Sequence, residues 1–331
     1  MRNPIKDLAR RSKTAIILFK IFDNWRLKRR IKSGEIETIH GSTHLNTAVS
    51  ESVAYIDKQF TDYITYTGLL PCDIADKRIL ELGPGDNLGV ALRFLAAGAD
   101  SVVCLDRFFS KRNADHEKDI YTALRQGLRP AEKSRFDEAI SLADDLHLNA
   151  RRLHSIYGDT LEGFADKLVK DDKAFDLIVS CAVLEEIYDP NPTFAAMDKL
   201  LTAGGYLVHK IDLSDYGMFR NQGMHPLTFL TIPESIYKRM ASDSGLPNRR
   251  RLGYYVEKMK EFGYQSQIFV TSVIPTGRLE PAVEYLPGTL QRDSSRVLVE
   301  QIRSRLANEF KDINEEELLI DGVLLVARKP V

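Results

Sequence analysis

From Ser52 onward the chain alternates between two hydrophobic rhythms. Val53, Ile56, Phe60 and Ile64 recur at helical spacing, and Gly68 ends the pattern before Leu69-Leu70-Pro71, which predicts a helix over 52–68. Short, mostly apolar runs at Arg78–Gly83 (RILELG) and Ser101–Asp106 (SVVCLD) predict two buried strands. Between them, Leu88, Ala91, Leu92 and Leu95 share one face of a helix at 87–97. The polar stretch from Phe108 to about Arg152 predicts two helices divided at Pro130. Leu153–Tyr157, Phe175–Cys181 and Gly205–Leu213 read as the third, fourth and fifth strands, with a helix at Pro192–Leu201 between the last two. Residues 214–247 lose the rhythm and fit an insertion. A helix at Tyr254–Phe262, a strand at Ser266–Ile274, a long helix at Arg296–Phe310 and a strand at Leu318–Arg328 complete the series. Strands alternating with helices in this way imply a doubly wound α/β fold, with a mostly parallel sheet of seven strands covered on both faces.

Composition narrows the class without naming it. The 331 residues are 44% hydrophobic and 28% charged, which excludes collagen-like and wholly disordered chains. Cys72, Cys104 and Cys181 are too few and too scattered for a disulfide framework or a zinc cluster, so a reducing, cytoplasmic setting and no metal are expected. No run of about 18 to 20 apolar residues is present to span a bilayer.

Charge is distributed unevenly. Residues 1–33 hold eleven Lys or Arg against Asp7 and Asp23, whereas the whole chain has a net charge of −1. Residues 1–40 are therefore taken as a basic amphipathic extension. Residues 41–331 are taken as one domain with insertions at about 108–152, 214–247 and 275–317. Lys20 interrupts the apolar run Ala15–Phe22 and no small-residue cleavage site follows, which argues against a signal peptide. Ala15, Leu18, Phe22 and Trp25 fall at helical spacing between basic residues, a pattern suited to an anionic membrane surface at the inner face. Docking of this helix on the body is the competing expectation. An acidic body without a stacking platform argues against nucleic acid.

The sharpest motif is Glu81-Leu82-Gly83-Pro84-Gly85-Asp86-Asn87, placed between a predicted strand and a predicted helix. Ligands of open parallel sheets bind outside the carboxyl ends of the strands, and the first strand–helix turn is the usual contact. Gly83 and Gly85 allow a sharp turn and a close backbone approach. Asp106 ends the second strand, where a carboxylate can accept both hydrogen bonds of a ribose diol. A dinucleotide fingerprint wants glycine where Leu88 stands; Gly89 comes one residue late, and Asp86 at the helix entrance would repel a diphosphate. The turn suits S-adenosylmethionine, a phosphate-free sulfonium nucleoside, better than NAD. Tyr55, Tyr63 and Tyr66 are candidates to roof the ligand, although packing alone would also account for them.

ELGPGDN, Asp106, the Gly158-Asp159 pair, FDLIVSCAVLEEIYDP and LTAGGYLVHKIDL occur in the order and spacing of class I S-adenosylmethionine-dependent methyltransferases, which the chain resembles over roughly residues 50–331. Softer features (DNLGVALRFLAAGADSV, HKIDLSD and NRRRLGYYVEKMKEFGY) are similar to bacterial enzymes of sugar, polysaccharide and secondary-metabolite pathways. The resemblance implies a Rossmann-like sheet of seven strands with the last antiparallel. It also implies Glu81, Gly83 and Gly85 at the methionine end of the cofactor, Asp106 at the ribose, Asp159 at the adenine, and Ser180 and Cys181 near the methyl group. Many relatives carry a histidine before the Asp-Pro turn; this chain has Leu184-Glu185-Glu186.

Methyl transfer needs alignment of acceptor and methyl group, and a hydroxyl acceptor gains from a base. His209 and Asp212 at the fifth strand's end and His225 in the following insertion are the candidate catalytic residues. A buried core histidine and a plain loop histidine are the competing readings of the two histidines. Asp215 completes a spacing with His209 and Asp212 that a divalent ion could use, but no tighter cluster supports one. Arg249–Arg251 suit either an anionic acceptor or a solvated helix start. The function expected is methyl transfer to an oxygen of a small molecule, a glycan or a lipid-linked sugar. A nicotinamide oxidoreductase on a similar sheet and a non-catalytic methyltransferase-like binding module are the alternatives.

Overall fold

Ile79, Leu80 and Leu82 have both faces of an extended segment to cover, and the chain solves this by placing strand β1 (Arg78–Leu82) inside a sheet, with Glu81 buried among them. In the computed structural model, which describes residues 12–38, 41–143, 146–168, 174–288 and 293–331, β1 lies between β2 (Ser101–Asp106) and β4 (Phe175–Cys181). Outside these run β3 (Leu153–Tyr157) and β5 (Leu201–Asp212), and all five strands are parallel. The first eleven residues of the basic extension lie outside the described residues.

The far half of the sheet turns antiparallel. Strand β8 (Ile320–Arg328) inserts between β5 and β6 (Gln265–Val273), antiparallel to both. The sheet has eight strands, not seven: β7 (Gly277–Glu284) forms a hairpin with β6 and closes the edge, giving the order β7-β6-β8-β5-β4-β1-β2-β3. Its alternation offers no buried face, so backbone pairing rather than side-chain burial makes it a strand.

Helices cover both faces. On one side, α2 (Val49–Thr67) and α3 (Gly89–Ala97) pack with α4 (Ala114–Gln126) and α5 (Pro130–Ala139) around Ile56, Phe60, Phe94 and Phe136. On the other, α6 (Leu161–Leu168), α7 (Asn191–Leu200) and α9 (Leu252–Glu261) bury Phe164, Phe194 and Tyr255. Gly68 ends α2 at φ +71, a left-handed C-cap.

The insertions build a third core. Residues 218–246, with α8 (Glu234–Ala241), pack Phe219, Phe229 and Tyr237 against Val299 and Ile302 of α10 (Asp293–Arg303) and Leu318 of α11 (Glu315–Leu319). The helix expected over 296–310 ends at Arg303, whose Nη1 donates to the Lys311 and Ile313 carbonyls of the following segment. The basic extension docks on this third core. Its helix α1 (Lys13–Lys32) packs Ile16, Ile17 and Ile21 there, and its buried Asn24 donates to the Arg239 carbonyl and accepts from the Asp243 amide.

Candidate functional site

A cleft of about 700 Å³ opens at the carboxyl ends of β1, β2 and β4 and beneath α1. That volume suits a nucleoside-sized ligand with room for a second molecule. The β1–α3 turn forms its floor. Gly83 has φ +64, and an added Cβ would stand 2.4 Å from Val183 Cγ2; Gly85 has φ +67, and its Cβ would stand 2.7 Å from the Gly41 carbonyl oxygen. The close approach that demands glycine here is therefore to the protein itself: segment 41–47 crosses the turn. Asp86 holds that crossing. It is buried and accepts from the amides of His44 and Leu45 at 3.0 and 2.8 Å, so its carboxylate anchors backbone instead of meeting a ligand's charge. Arg112 braces the turn from below, donating to the Gly85 carbonyl at 3.0 Å.

The amides that a pyrophosphate would need are already engaged. Leu88 N donates to the Tyr121 hydroxyl at 2.9 Å and Gly89 N to Asn87 Oδ1 at 2.7 Å. The turn offers carboxylates in their place. Glu81 lines the cleft next to Cys104, whose Sγ lies 3.5 Å from its Oε2, and burial pushes its pKa up to about 7. Asp106 lines it at the tip of β2, accepting from the Phe108 amide at 2.9 Å; burial raises its pKa, while amides including that of Gly85 pull the other way. Asp159 faces the cleft after β3 and is bound by Lys167 at 2.6 Å. Cys181 reaches the cleft at the end of β4, 3.6 Å from the Tyr55 hydroxyl. Tyr63 also lines the cleft; Tyr66 does not, and accepts from the Ala282 amide while packing on Phe269.

Opposite the glycine turn stands a group that sequence reasoning noted only as a departure. Glu185 is buried and accepts from the Asp212 amide at 2.9 Å and the Tyr216 hydroxyl at 3.1 Å. Burial lifts its pKa to about 8. Glu186 points the other way, into the cleft. The enclosing walls push its pKa up to about 7, and the Tyr216 hydroxyl draws it back down. Ala182 and Tyr216, two cleft residues, hold left-handed backbone at φ 55 and 52, as Asp76 and Arg249 do elsewhere in the chain. The doubled acid before the Asp-Pro turn was the available signal. Lys20, Asp23, Arg26 and Arg30 of α1 complete the wall, and nothing in their spacing pointed there.

Three candidate catalytic residues lie away from the cleft. His209 is wholly buried; its Nδ1 is hydrogen-bonded to Ser180 Oγ at 2.8 Å, and desolvation pushes its pKa down to about 3. It is a core histidine, and Ser180 is its partner rather than a cofactor contact. Asp212 accepts from the Ser214 amide at 2.7 Å and shapes the turn after β5. His225 belongs to the third core, with Nε2 2.9 Å from the Leu298 carbonyl and Nδ1 accepting from the Leu227 amide. Asp215 accepts three backbone amides, from Gly217, Phe219 and Arg220, and among the described residues no cluster of His, Cys, Asp and Glu is arranged to hold a metal ion. Of the arginine triplet, Arg249 and Arg251 are buried struts, donating to the Phe229 and Leu213 carbonyls among others, and only Arg250 is exposed.

Residues 54–265 match the sequence family described as methyltransferase domain. A comparison with curated protein sequences found no match. Among solved structures, the chain is similar to one from Galdieria sulphuraria assigned as a sarcosine dimethylglycine methyltransferase, at 17% identity over 93% of this chain and 98% of that one, with a TM-score of 0.42. It is similar also to a cyclopropane-fatty-acyl-phospholipid synthase-like protein from Lactobacillus casei, at 12% identity over 91% and 99% of the two chains and a TM-score of 0.43. A third is phosphoethanolamine N-methyltransferase 2 of Haemonchus contortus in complex with S-adenosyl-L-methionine, at 12% identity over 85% of this chain and 56% of that one, with a TM-score of 0.41.

Proposed function

This chain belongs to the methyltransferase-domain family, and from that premise we propose that it transfers a methyl group from S-adenosylmethionine to an oxygen of a small molecule or glycan. One observation carries the reading: a single cleft has two carboxylates, Glu81 and Asp106, on its glycine-turn wall and Glu186 on the wall across from them. Bound there, the cofactor supplies an electrophilic methyl group on a sulfonium leaving group.

The residues fit such a ligand. Glu81 is poised to ionise beside an ammonium, because a nearby cation lowers a carboxylate pKa that burial alone has raised. Asp106 offers carboxylate oxygens to a diol from the strand tip. The engaged amides of Leu88 and Gly89 leave no cradle for a diphosphate, which weighs against the nicotinamide alternative.

Glu186 is assigned the base, in place of His209, Asp212 and His225. A pKa near 7 lets it take a proton from an acceptor hydroxyl as the oxygen–carbon bond forms. A hydroxyl acceptor needs that proton removed, and this is what favours oxygen.

The test pairs calorimetry with methyl-labelled cofactor incubated with cell extract and the protein, followed by mass spectrometry of whatever gains label. Micromolar cofactor binding and a labelled oxygen ether or ester are expected. Binding of the cofactor with no labelled product under any extract would instead favour a binding module, and absence of binding would sink the cofactor assignment.

A further inference from the structure

Helix α1 has two working faces. Its inner face docks on the third core through Ile16, Ile17 and Ile21 and presents Lys20, Asp23, Leu27 and Arg30 to the cleft. Its outer face is apolar and uncovered. Leu18, Phe19, Phe22 and Trp25 are 62, 61, 57 and 47% exposed, a density of large apolar surface that soluble faces seldom leave to water. Leu18, Phe22, Trp25 and Arg29 follow one another at four- and three-residue steps, so they form one stripe along the helix. Phe22 stacks on Trp25 with ring centroids 5.7 Å apart, and the Arg29 guanidinium lies 3.9 Å from the Trp25 ring centroid.

Charge decides what covers the stripe. The helix carries seven basic residues against the single acid Asp23. Arg26 and Lys28 stand exposed beside the stripe, and Arg29, Arg30 and Lys32 crowd its last turn. Aromatic and leucine side chains flanked by long cations match the boundary of an anionic bilayer, where rings enter the headgroup region and cations remain with the phosphates. Pairing the stripe with that of a second copy would bring two sets of cations together. Among the described residues no helix is long and apolar enough to cross a membrane, so the contact is with a surface.

We infer that the outer face of α1 docks this protein on anionic lipid bilayers through Leu18, Phe19, Phe22 and Trp25. Because the same helix walls the cleft, docking holds the cleft within a helix diameter, roughly 10 Å, of the headgroups. The inference rests on the helix alone and stands or falls separately from the methyl-transfer reading.

Trp25 is the only tryptophan in the chain, so its fluorescence reports the contact directly. With the full-length protein and vesicles of phosphatidylglycerol and phosphatidylcholine, the emission should move to shorter wavelength and the protein should sediment with the vesicles. Vesicles of phosphatidylcholine alone should bind at least about ten-fold more weakly, and salt should weaken the anionic binding. The double variant Leu18→Ser, Phe22→Ser keeps the reporter and should lose vesicle binding about ten-fold or more while its thermal melting is unchanged, since both side chains are exposed. The inference is overturned by an unshifted spectrum without sedimentation on either vesicle, by equal binding to both, or by a concentration-dependent shift without lipid that the double variant abolishes. That last result would mean a second copy covers the stripe.

Discussion

Ser180 Oγ and His209 Nδ1 sit 2.8 Å apart in the interior, on residues that face each other across the parallel β4–β5 pairing. Among the described residues His209 Nε2 has no hydrogen-bond partner, and burial keeps the ring neutral. A ring held this way is structural. His209→Ala should cost about 2–4 kcal/mol of stability, and Ser180→Ala about 1–3 kcal/mol, through the cavity and the orphaned polar atom. Cofactor affinity of the folded fraction should stay the same in both variants, measured by denaturant titration and calorimetry.

Glu186→Gln should lower turnover about 10²–10⁴-fold with cofactor affinity intact, the range expected for loss of a general base. The wild-type rate should rise with pH through about 7, where Glu186 loses its proton. Tyr216→Phe removes the hydroxyl that draws this pKa down, so the limb of the pH–rate profile should move to higher pH. A profile unmoved by Tyr216→Phe would detach Tyr216 from the base.

Buried acids also set how stability follows pH. Glu81 is raised to about 7 and Glu185 to about 8, so each holds its proton in the folded chain after the unfolded chain has ionised. Their contribution is complete below the unfolded value of 4.5 and is lost as pH rises through 7 to 8. His209, lowered from 6.5, works in the opposite direction below 6.5 only. Melting temperature of the ligand-free protein should therefore fall from pH 6.5 to 8, and Glu185→Gln should flatten that slope.

Asp106→Ala should weaken cofactor binding by about 1.5–3 kcal/mol, the loss of a charged hydrogen-bond acceptor. Calorimetry on the folded variant measures it; unchanged affinity would remove Asp106 from the ribose.

Gly83→Ala should destabilise through two separable causes. A left-handed backbone costs a non-glycine residue about 1–2 kcal/mol, and the new Cβ would also overlap Val183. Adding Val183→Ala should restore only the overlap part, so a double-mutant cycle with chemical denaturation distinguishes the two.

Local rhythm made the parallel half of the sheet legible. Arg78–Leu82, Ser101–Asp106 and Phe175–Cys181 are buried along most of their length, and such strands are mostly apolar on both faces, which a sequence displays directly. The glycine turn and the acid ending β2 were legible for the same reason, because backbone conformation and chain direction place them. Strand β7 was not, since its pairing at a sheet edge leaves no periodic trace in Gly277–Glu284. Nor could spacing say which polar side chains at strand ends turn inward. His209 and Glu186 both lie just where a base was sought, yet cross-strand register buries one against Ser180 while the turn after β4 aims the other into open space. Three-dimensional packing likewise split the N-terminal helix into a docked face and a bare one, because only contacts with Asp243 and the third core determine which apolar residues find partners.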